Sequence, residues 1–465
     1  MAENISYKPT DGLSYDPAEP RYWEREALDK EITRVFEVCH GCRMCFKYCD
    51  SFPSLFSLID DRHDGDVRKL TAAEIGSVMD ACFQCKLCEV QCPYTPRDGH
   101  EFQLDFPKLV HRWSAQQAKA NGLSLRDRVL GNPNGLAKLA RASFGMANVM
   151  NKVSLHRWFM EKFLGIHRDK KLPDFASTPF EKWAEKAGLL GREKGGEAVL
   201  FPSCFVENND PQIGRDTLEV MAANQVDVRC EQGFACCGMP AWEHGDLEGL
   251  RAGAKQNLDL LEPWVDAGAR VMVLQPSCAM LMRREYPELV APEDRERAAK
   301  VAAAVVDPGE HLWSIRKEER YNTAYKSGPA GGTVAYHAPC HLRAQAVGFR
   351  GRDLMRKVPG VDKIDAAMEC CGHDGTAAMK VEGYDQSVRV GRKAFDEMKA
   401  SEAKVWVSDC ALACLQFEQH AGVAPMHPMT FLARAHRTGG FSDLQLEAAP
   451  EPRALPGAAG PEEAG

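Results

Sequence analysis

The chain has 465 residues, 44% of them hydrophobic, and a formal net charge of −8. That length is more than one core can hold and predicts two to four domains, while the acidic balance excludes a generally nucleic-acid-binding surface. Eighteen cysteines would mean disulfides in a secreted protein, yet Met1 to Glu19 carry no apolar run typical of a signal peptide. No stretch is apolar for long enough to cross a bilayer, so the thiols are expected to be free for metal in a reducing cytoplasm.

Residues 1–34, rich in Pro, Asp and Tyr, read as a poorly ordered N-terminal arm. Residues 35–110 then hold Cys39, Cys42, Cys45 and Cys49, followed by Cys82, Cys85, Cys88 and Cys92. Both runs spell C-x2-C-x2-C-x3-C, and each cysteine of the second lies 43 positions after its counterpart. Such spacing wraps three thiolates around one cubic iron–sulfur cluster and sends the fourth to a neighbour. Two [4Fe–4S] clusters are therefore expected. Cys39, Cys42 and Cys45 would take Cys92, while Cys82, Cys85 and Cys88 would take Cys49. The alternative is zinc, which paired C-x2-C also binds, though four ligands leave no use for a third cysteine at the next step.

Residues 111–195 read as a basic helical connector. From His111 to Lys171 there are 12 Lys/Arg against three acids, Asp127, Glu161 and Asp169. Phe144, Met146, Val149, Met150, Val153, Leu155, Trp158, Phe159, Phe163 and Leu164 recur there at roughly helical spacing. The preferred expectation packs this apolar side on the protein; the alternative lays residues 111–171 on an anionic membrane surface or an acidic partner.

Past residue 195 the sequence repeats itself. The first copy, 196–325, holds Ala198–Phe201 before Cys204, then Cys236-Cys237-Gly238, then Val271–Leu274 before Cys278. The second, 326–440, holds Val334–His337 before Cys340, then Cys370-Cys371-Gly372, then Val405–Ser408 before Cys410. Matching cysteines lie 136, 134 and 132 residues apart, which implies duplication. Short apolar runs ending at cysteines read as buried strands, and Pro211–Asn224, Asp246–Ala267 and Tyr384–Ala400 as helices. Strand alternating with helix predicts mostly parallel sheets whose ligands gather beyond the strand ends. Cys204, Cys236, Cys237 and Cys278 are thus expected at one metal site, and Cys340, Cys370, Cys371 and Cys410 at another. The competing reading, buried inert cysteine, does not account for two Cys-Cys-Gly pairs in register. Cys230 reads as structural, and Cys414, one helical turn after Cys410, is left open. Residues 441–465 read as a disordered tail.

This joint pattern, from about Val35 to Arg437, resembles the cysteine-rich CCG-domain iron–sulfur oxidoreductases. That family includes the catalytic subunits of heterodisulfide reductase and, more similar here, the C subunit of anaerobic glycerol-3-phosphate dehydrogenase. The resemblance implies a helical tandem [4Fe–4S] ferredoxin domain feeding electrons to duplicated α/β CCG domains, with further non-cubane clusters there. It also implies a flavoprotein dehydrogenase or other redox partner, and a quinone or disulfide as acceptor. The pattern departs from the family's fullest form at Leu281, where the first module's last cysteine belongs, and at Cys414, one residue too far along. Cluster type and occupancy at the two CCG sites are therefore open.

His337, His341 and His373 flank the second module and are candidates for proton transfer near a reduced acceptor. No G-x-G-x-x-G follows a strand and no P-loop is present, so no nicotinamide or flavin of the chain's own is expected. The favoured function is an electron-transfer subunit of an oxidoreductase, cytoplasmic or peripheral on the inner membrane. The alternatives are a donor to a rubrerythrin-like peroxidase and a non-catalytic zinc scaffold.

Overall fold

The computed structural model describes residues 5–191, 194–373 and 375–445. Most of the expected tail, 446–465, lies outside them. Of its first residues, Phe441 is buried in the core and Ser442–Gln445 form a single helical turn.

The N-terminal segment is a correction to the expectation. Residues 5–34 are packed, and helix Arg25–Cys42 starts inside the supposed arm. Two buried arginines explain why. Arg34 pairs with buried Glu31 and donates to the Tyr7 and Phe102 carbonyls at 2.8 Å each. Arg112 donates to the carbonyls of Gly12 (2.8 Å) and Tyr22 (2.9 Å). A buried guanidinium needs all its donors satisfied, and this backbone supplies the acceptors. Polarity of composition concealed that role.

Leu28, Ile32, Val35 and Phe36 form one stripe of the first helix and meet Phe52, Leu55, Phe106 and Leu109 from helices Ser51–Ser57 and Phe106–Asn121. The eight N-terminal cysteines pack in or against this same core.

Among the described residues seven strands follow, β1 (Ala198–Phe201), β2 (Val228–Cys230), β3 (Arg270–Val273), β4 (Val305–Val306), β5 (Gly332–His337), β6 (Val361–Ala367) and β7 (Val405–Ser408). They form two parallel sheets, ordered β2-β1-β3-β4 and β6-β5-β7. A parallel bridge from Val407 to Met426 occupies, in the second sheet, the place β4 takes in the first. The expected helices are present as Pro211–Ala223, Leu247–Asp266 and Val381–Ala400. Asp210 and Asp246 cap the first two by accepting backbone N–H groups.

Alternation along the strands assigns residues to two cores, as a sheet buried on both faces requires. Ala198, Leu200 and Met272 point into one core together with Val334, Tyr336, Val405 and Val407 of the second sheet. Val199, Phe201, Val271 and Val273 point the other way, under helix Leu247–Asp266. The two repeats therefore share a hydrophobic interior.

The connector is the second correction. Helices Leu125–Leu130, Pro133–Ala142, Met146–Met150 and Ser154–Leu164 do not turn their apolar side inward. Leu139 is 72%, Phe144 99% and Phe163 74% exposed. The inward positions are taken by small or polar residues, among them Ala137, Ala140 and Arg157.

Candidate metal centres

Helix Arg25–Cys42 ends at Arg43, whose left-handed backbone (φ 55°) turns the chain back on itself. As a result Cys39, Cys42 and Cys45 line one pocket with Cys92, walled by Val38, Phe52, Phe56 and Leu104; Cys88 also reaches its edge. Burial pushes the Cys39 thiol well up, and the neighbouring Cys45, Cys92 and Cys42 add to the effect. Cys45 is pushed up to about 12, by burial and then by Cys92, Cys42 and Cys49. The Tyr94 N–H donates to Cys92 Sγ at 3.4 Å.

The second set is built the same way. Gln84 and Lys86 adopt left-handed conformations (φ 48° and 59°) between Cys82, Cys85 and Cys88. Burial raises the Cys88 thiol, and Cys82, Cys85, Cys45 and Cys49 reinforce it. The Gln84 N–H donates to Cys82 Sγ at 3.4 Å. Burial also raises Cys85, but the thiols next in effect are Cys340 and Cys370 of the second repeat, ahead of Cys49.

These two sets fit iron–sulfur clusters. Each buried thiolate makes its neighbours costlier to ionise, a conflict that a polycationic centre resolves. Backbone N–H groups aimed at sulfur are the donors a thiolate cluster uses. Among the described residues no three His, Cys, Asp or Glu side chains converge as tightly as a single ion demands.

In the first repeat, Cys204 follows β1 in helix Ser203–Asn208, and its Sγ lies 3.9 Å from that of Cys236. Hydrogen bonds from Cys204 and Cys237, then the Gly238 and Met239 N–H groups, favour the Cys236 thiolate, against burial. Hydrogen bonding with Cys236 and with Cys278, ahead of burial, raises Cys237. The four expected residues thus follow one another as neighbours, Cys204 to Cys236, Cys236 to Cys237 and Cys237 to Cys278. Gly238 makes the turn at φ 96°. Leu281 is fully buried in the apolar core, one turn beyond Cys278.

The second repeat is arranged differently. Cys340 and Cys370 pack with the N-terminal cysteine core, whereas Cys371 and Cys410 join a separate cluster beneath the second sheet. Gly372 (φ 73°) donates its N–H to Cys370 Sγ at 3.3 Å. Cys410 caps helix Ala411–Ala421 and accepts from Gln275 Nε2 at 2.9 Å. Cys414 donates its thiol to the Cys410 carbonyl at 3.4 Å. Cys230 is buried in β2, pushed up to about 12 by desolvation.

Of the three candidate histidines, His337 and His373 are buried and His341 is half-buried. His337 contacts Ser408 Oγ through Nδ1 (3.0 Å) and the Glu369 carbonyl through Nε2 (3.2 Å). His341 Nε2 lies 3.0 Å from the Gln84 carbonyl. Desolvation lowers both to about 4. His373 has no hydrogen-bond partner for either ring nitrogen among the described residues.

Three residues escaped sequence reasoning. Lys86 is buried, bonded to Glu285 of the first repeat and 3.7 Å from Glu89, while Arg284 also reaches Glu89. Gln275 spans the two repeats, its Oε1 accepting from the Ala411 N–H at 3.3 Å. Lys170 is buried on Gln416, whose Nε2 donates to the Cys371 carbonyl at 3.2 Å. Lys86 stood in view inside the cysteine run. The other two carried no signal, because their roles exist only between distant segments.

The family model described as a 4Fe-4S dicluster domain matches residues 38–95, and that described as a cysteine-rich domain (CCG) matches twice, over 198–283 and 334–418. The chain carries one 4Fe–4S dicluster domain and two CCG domains. It is homologous to the C subunit of anaerobic glycerol-3-phosphate dehydrogenase from Escherichia coli (strain K12), 26% identical over 313 residues, 67% of this chain and 77% of that protein. It also resembles lactate utilization protein A of Shouchella clausii (strain KSM-K16), 28% identical over 197 residues, 41% of this chain and 77% of that one. Lactate utilization protein A 2 of Bacillus cereus is 24% identical over 221 residues, 46% of this chain and 86% of that one. These relatives and the domain matches identify an iron–sulfur protein related to a dehydrogenase subunit and to lactate utilization proteins.

Proposed function

We propose that this chain is an electron-transfer subunit. A partner such as a flavin-bearing dehydrogenase would exchange electrons with two [4Fe–4S] clusters, held by Cys39, Cys42, Cys45 and Cys92 and by Cys82, Cys85, Cys88 and Cys49. The CCG domains, through Cys204, Cys236, Cys237 and Cys278 and through Cys340, Cys370, Cys371 and Cys410, would carry electrons onward to a quinone, a disulfide or another protein. Clusters, once bound, supply one-electron transfer; the chain spaces the thiols, keeps water out and orients them.

One observation carries the reading. Cys85 stands within electrostatic reach of both Cys340 and Cys370, and Cys49 of Cys370. Cys370 and Cys340 of the second CCG domain also pack with the core that holds Cys49, Cys85 and Cys88. Met44 (44% exposed) lines the Cys39 pocket and, with nearby Phe46 (61% exposed), would offer a partner an apolar docking point. With a quinone as acceptor, the chain would work at the inner membrane surface, through part of residues 111–171.

The decisive experiment is anaerobic purification of the native chain with its companions. Iron and acid-labile sulfide should be found, and Cys85→Ala should remove one of two cubane signals in electron paramagnetic resonance. Two unaltered signals, or colourless protein holding zinc without sulfide, would overturn the assignment. A co-purifying flavoprotein supports the reading above, whereas a di-iron protein would redirect it to peroxide.

A further inference from the structure

Twelve of the seventeen exposed large hydrophobic side chains among the described residues fall between Leu125 and Leu164. Trp158, Phe159 and Phe163 adjoin along one helix, with ring centroids 5.0 and 5.8 Å apart. Phe144 sits at a tip where it and Gly145 both adopt left-handed backbone (φ 51° and 90°). A bulky residue is costly there, yet its ring is held outward, 99% exposed. Apolar patches of this kind mark interaction sites.

The charges around it indicate the occupant. Arg128, Lys138 and Lys162 are exposed, with no carboxylate at ion-pair distance among the described residues. The nearby acids are spent elsewhere, Asp127 on Lys380 at 2.7 Å and Glu161 on Arg168 at 2.6 Å. An apolar ridge with free cations matches the interface of an anionic bilayer. A second copy would bring like charges together.

We propose that the face formed by residues 125–164 docks on an anionic lipid surface, with the first CCG domain turned toward it. The rest of the basic segment takes no part. Helix Phe106–Asn121 is mostly buried from Phe106 to Gln116, and Ile166 and Lys170 are buried. Asn134, on helix Pro133–Ala142, donates to the Phe234 carbonyl at 3.3 Å and lines, with Cys204 and Phe201, a pocket beside the docking face. The electron-relay reading supplies the purpose of this contact, but lipid binding itself requires no cluster.

The test is anaerobic co-sedimentation of the full chain with vesicles of phosphatidylcholine, alone or mixed two to one with phosphatidylglycerol. The wild type should pellet with the mixed vesicles, less with the neutral ones, and less again at high salt. Lys138→Glu with Lys162→Glu, and Phe144→Ser with Phe163→Ser, should each weaken binding at least tenfold. Phe144→Ser alone removes a ring that is almost wholly in solvent, so its weaker binding cannot be laid to misfolding. Wild type left in the supernatant with anionic vesicles, or variants that pellet equally well, overturns the proposal. So does a wild-type dimer that the serine variant abolishes, which would give the face to a second copy. Iron content and visible absorbance, measured on the same samples, report the relay reading separately.

Discussion

Gly238 and Gly372 occupy matching places after their Cys-Cys pairs, but they are not equally constrained. A β-carbon on Gly372 would run into the Ser387 carbonyl oxygen and approach the Gly391 nitrogen at 2.9 Å. On Gly238 it would meet first the end of the Leu250 side chain, at 2.6 Å. Backbone cannot yield as a side chain can, so Gly372→Ala should cost more than about 3 kcal/mol and Gly238→Ala clearly less. Urea unfolding of the two variants checks the order. His111 offers a pH test away from the cysteines. It stacks on Trp242 at 5.5 Å, with Tyr22 Oη 3.3 Å from Nδ1. Burial lowers it to about 4, with Glu285 opposing and Lys86 and Lys108 assisting. The unfolded chain binds the proton more readily, so the contribution of neutral His111 is complete above pH ~6.5 and is lost as pH falls toward the folded value. About 1.4 kcal/mol should be gone by pH ~5.5. His111→Gln should make that slope shallower by about this amount in denaturant midpoints compared between pH 8 and 5.5, with His337 and His341 keeping part of it; an unchanged slope would mean His111 contributes nothing.

Among the elements, the segment between Cys85 and Cys88 is also the joint between the dicluster domain and the first CCG domain. Lys86, Glu89, Arg284 and Glu285 form an ion network, with Lys86, Glu89 and Glu285 almost completely enclosed. Removing one partner strands a charge in a low dielectric, so Lys86→Met should destabilise the chain by about 3–5 kcal/mol. The double variant Lys86→Met, Glu285→Leu should recover much of that loss in the same unfolding assay, because the orphaned charge goes too. Sequence reasoning placed the strands and long helices correctly, since periodicity and spacing are local properties. It could not see that Lys86 finds Glu285 across 199 positions. Nor could it see that the connector helices bury Ala137 and Ala140 while leaving Leu139 in solvent. An amphipathic pattern says that a helix has two faces, and only its neighbours decide which one turns inward.

At the scale of the whole molecule, the two CCG repeats cannot be treated as beads on a string. Leu200 and Met272 of one sheet share a core with Val334, Tyr336 and Val407 of the other, and Arg437 pairs with Asp216 across the repeats at 2.6 Å. Residues 196–325 expressed alone should therefore lack a cooperative unfolding transition, whereas the two repeats together should show one. A sharp transition in the single repeat, followed by calorimetry, would contradict the shared core.

Taken alone, the amino-acid order determined which thiols belong to each repeat, that the sheets are parallel, and that the chain is an iron–sulfur protein. Those follow from spacing and alternation, which local geometry enforces. Tertiary structure alone decided that Cys340 and Cys370 turn to the dicluster domain while Cys371 and Cys410 do not, that the N-terminal residues are fastened by Arg34 and Arg112, and that the connector's apolar side is uncovered. Each of these depends on which distant segment satisfies a buried charge or fills a gap, and no local pattern records that.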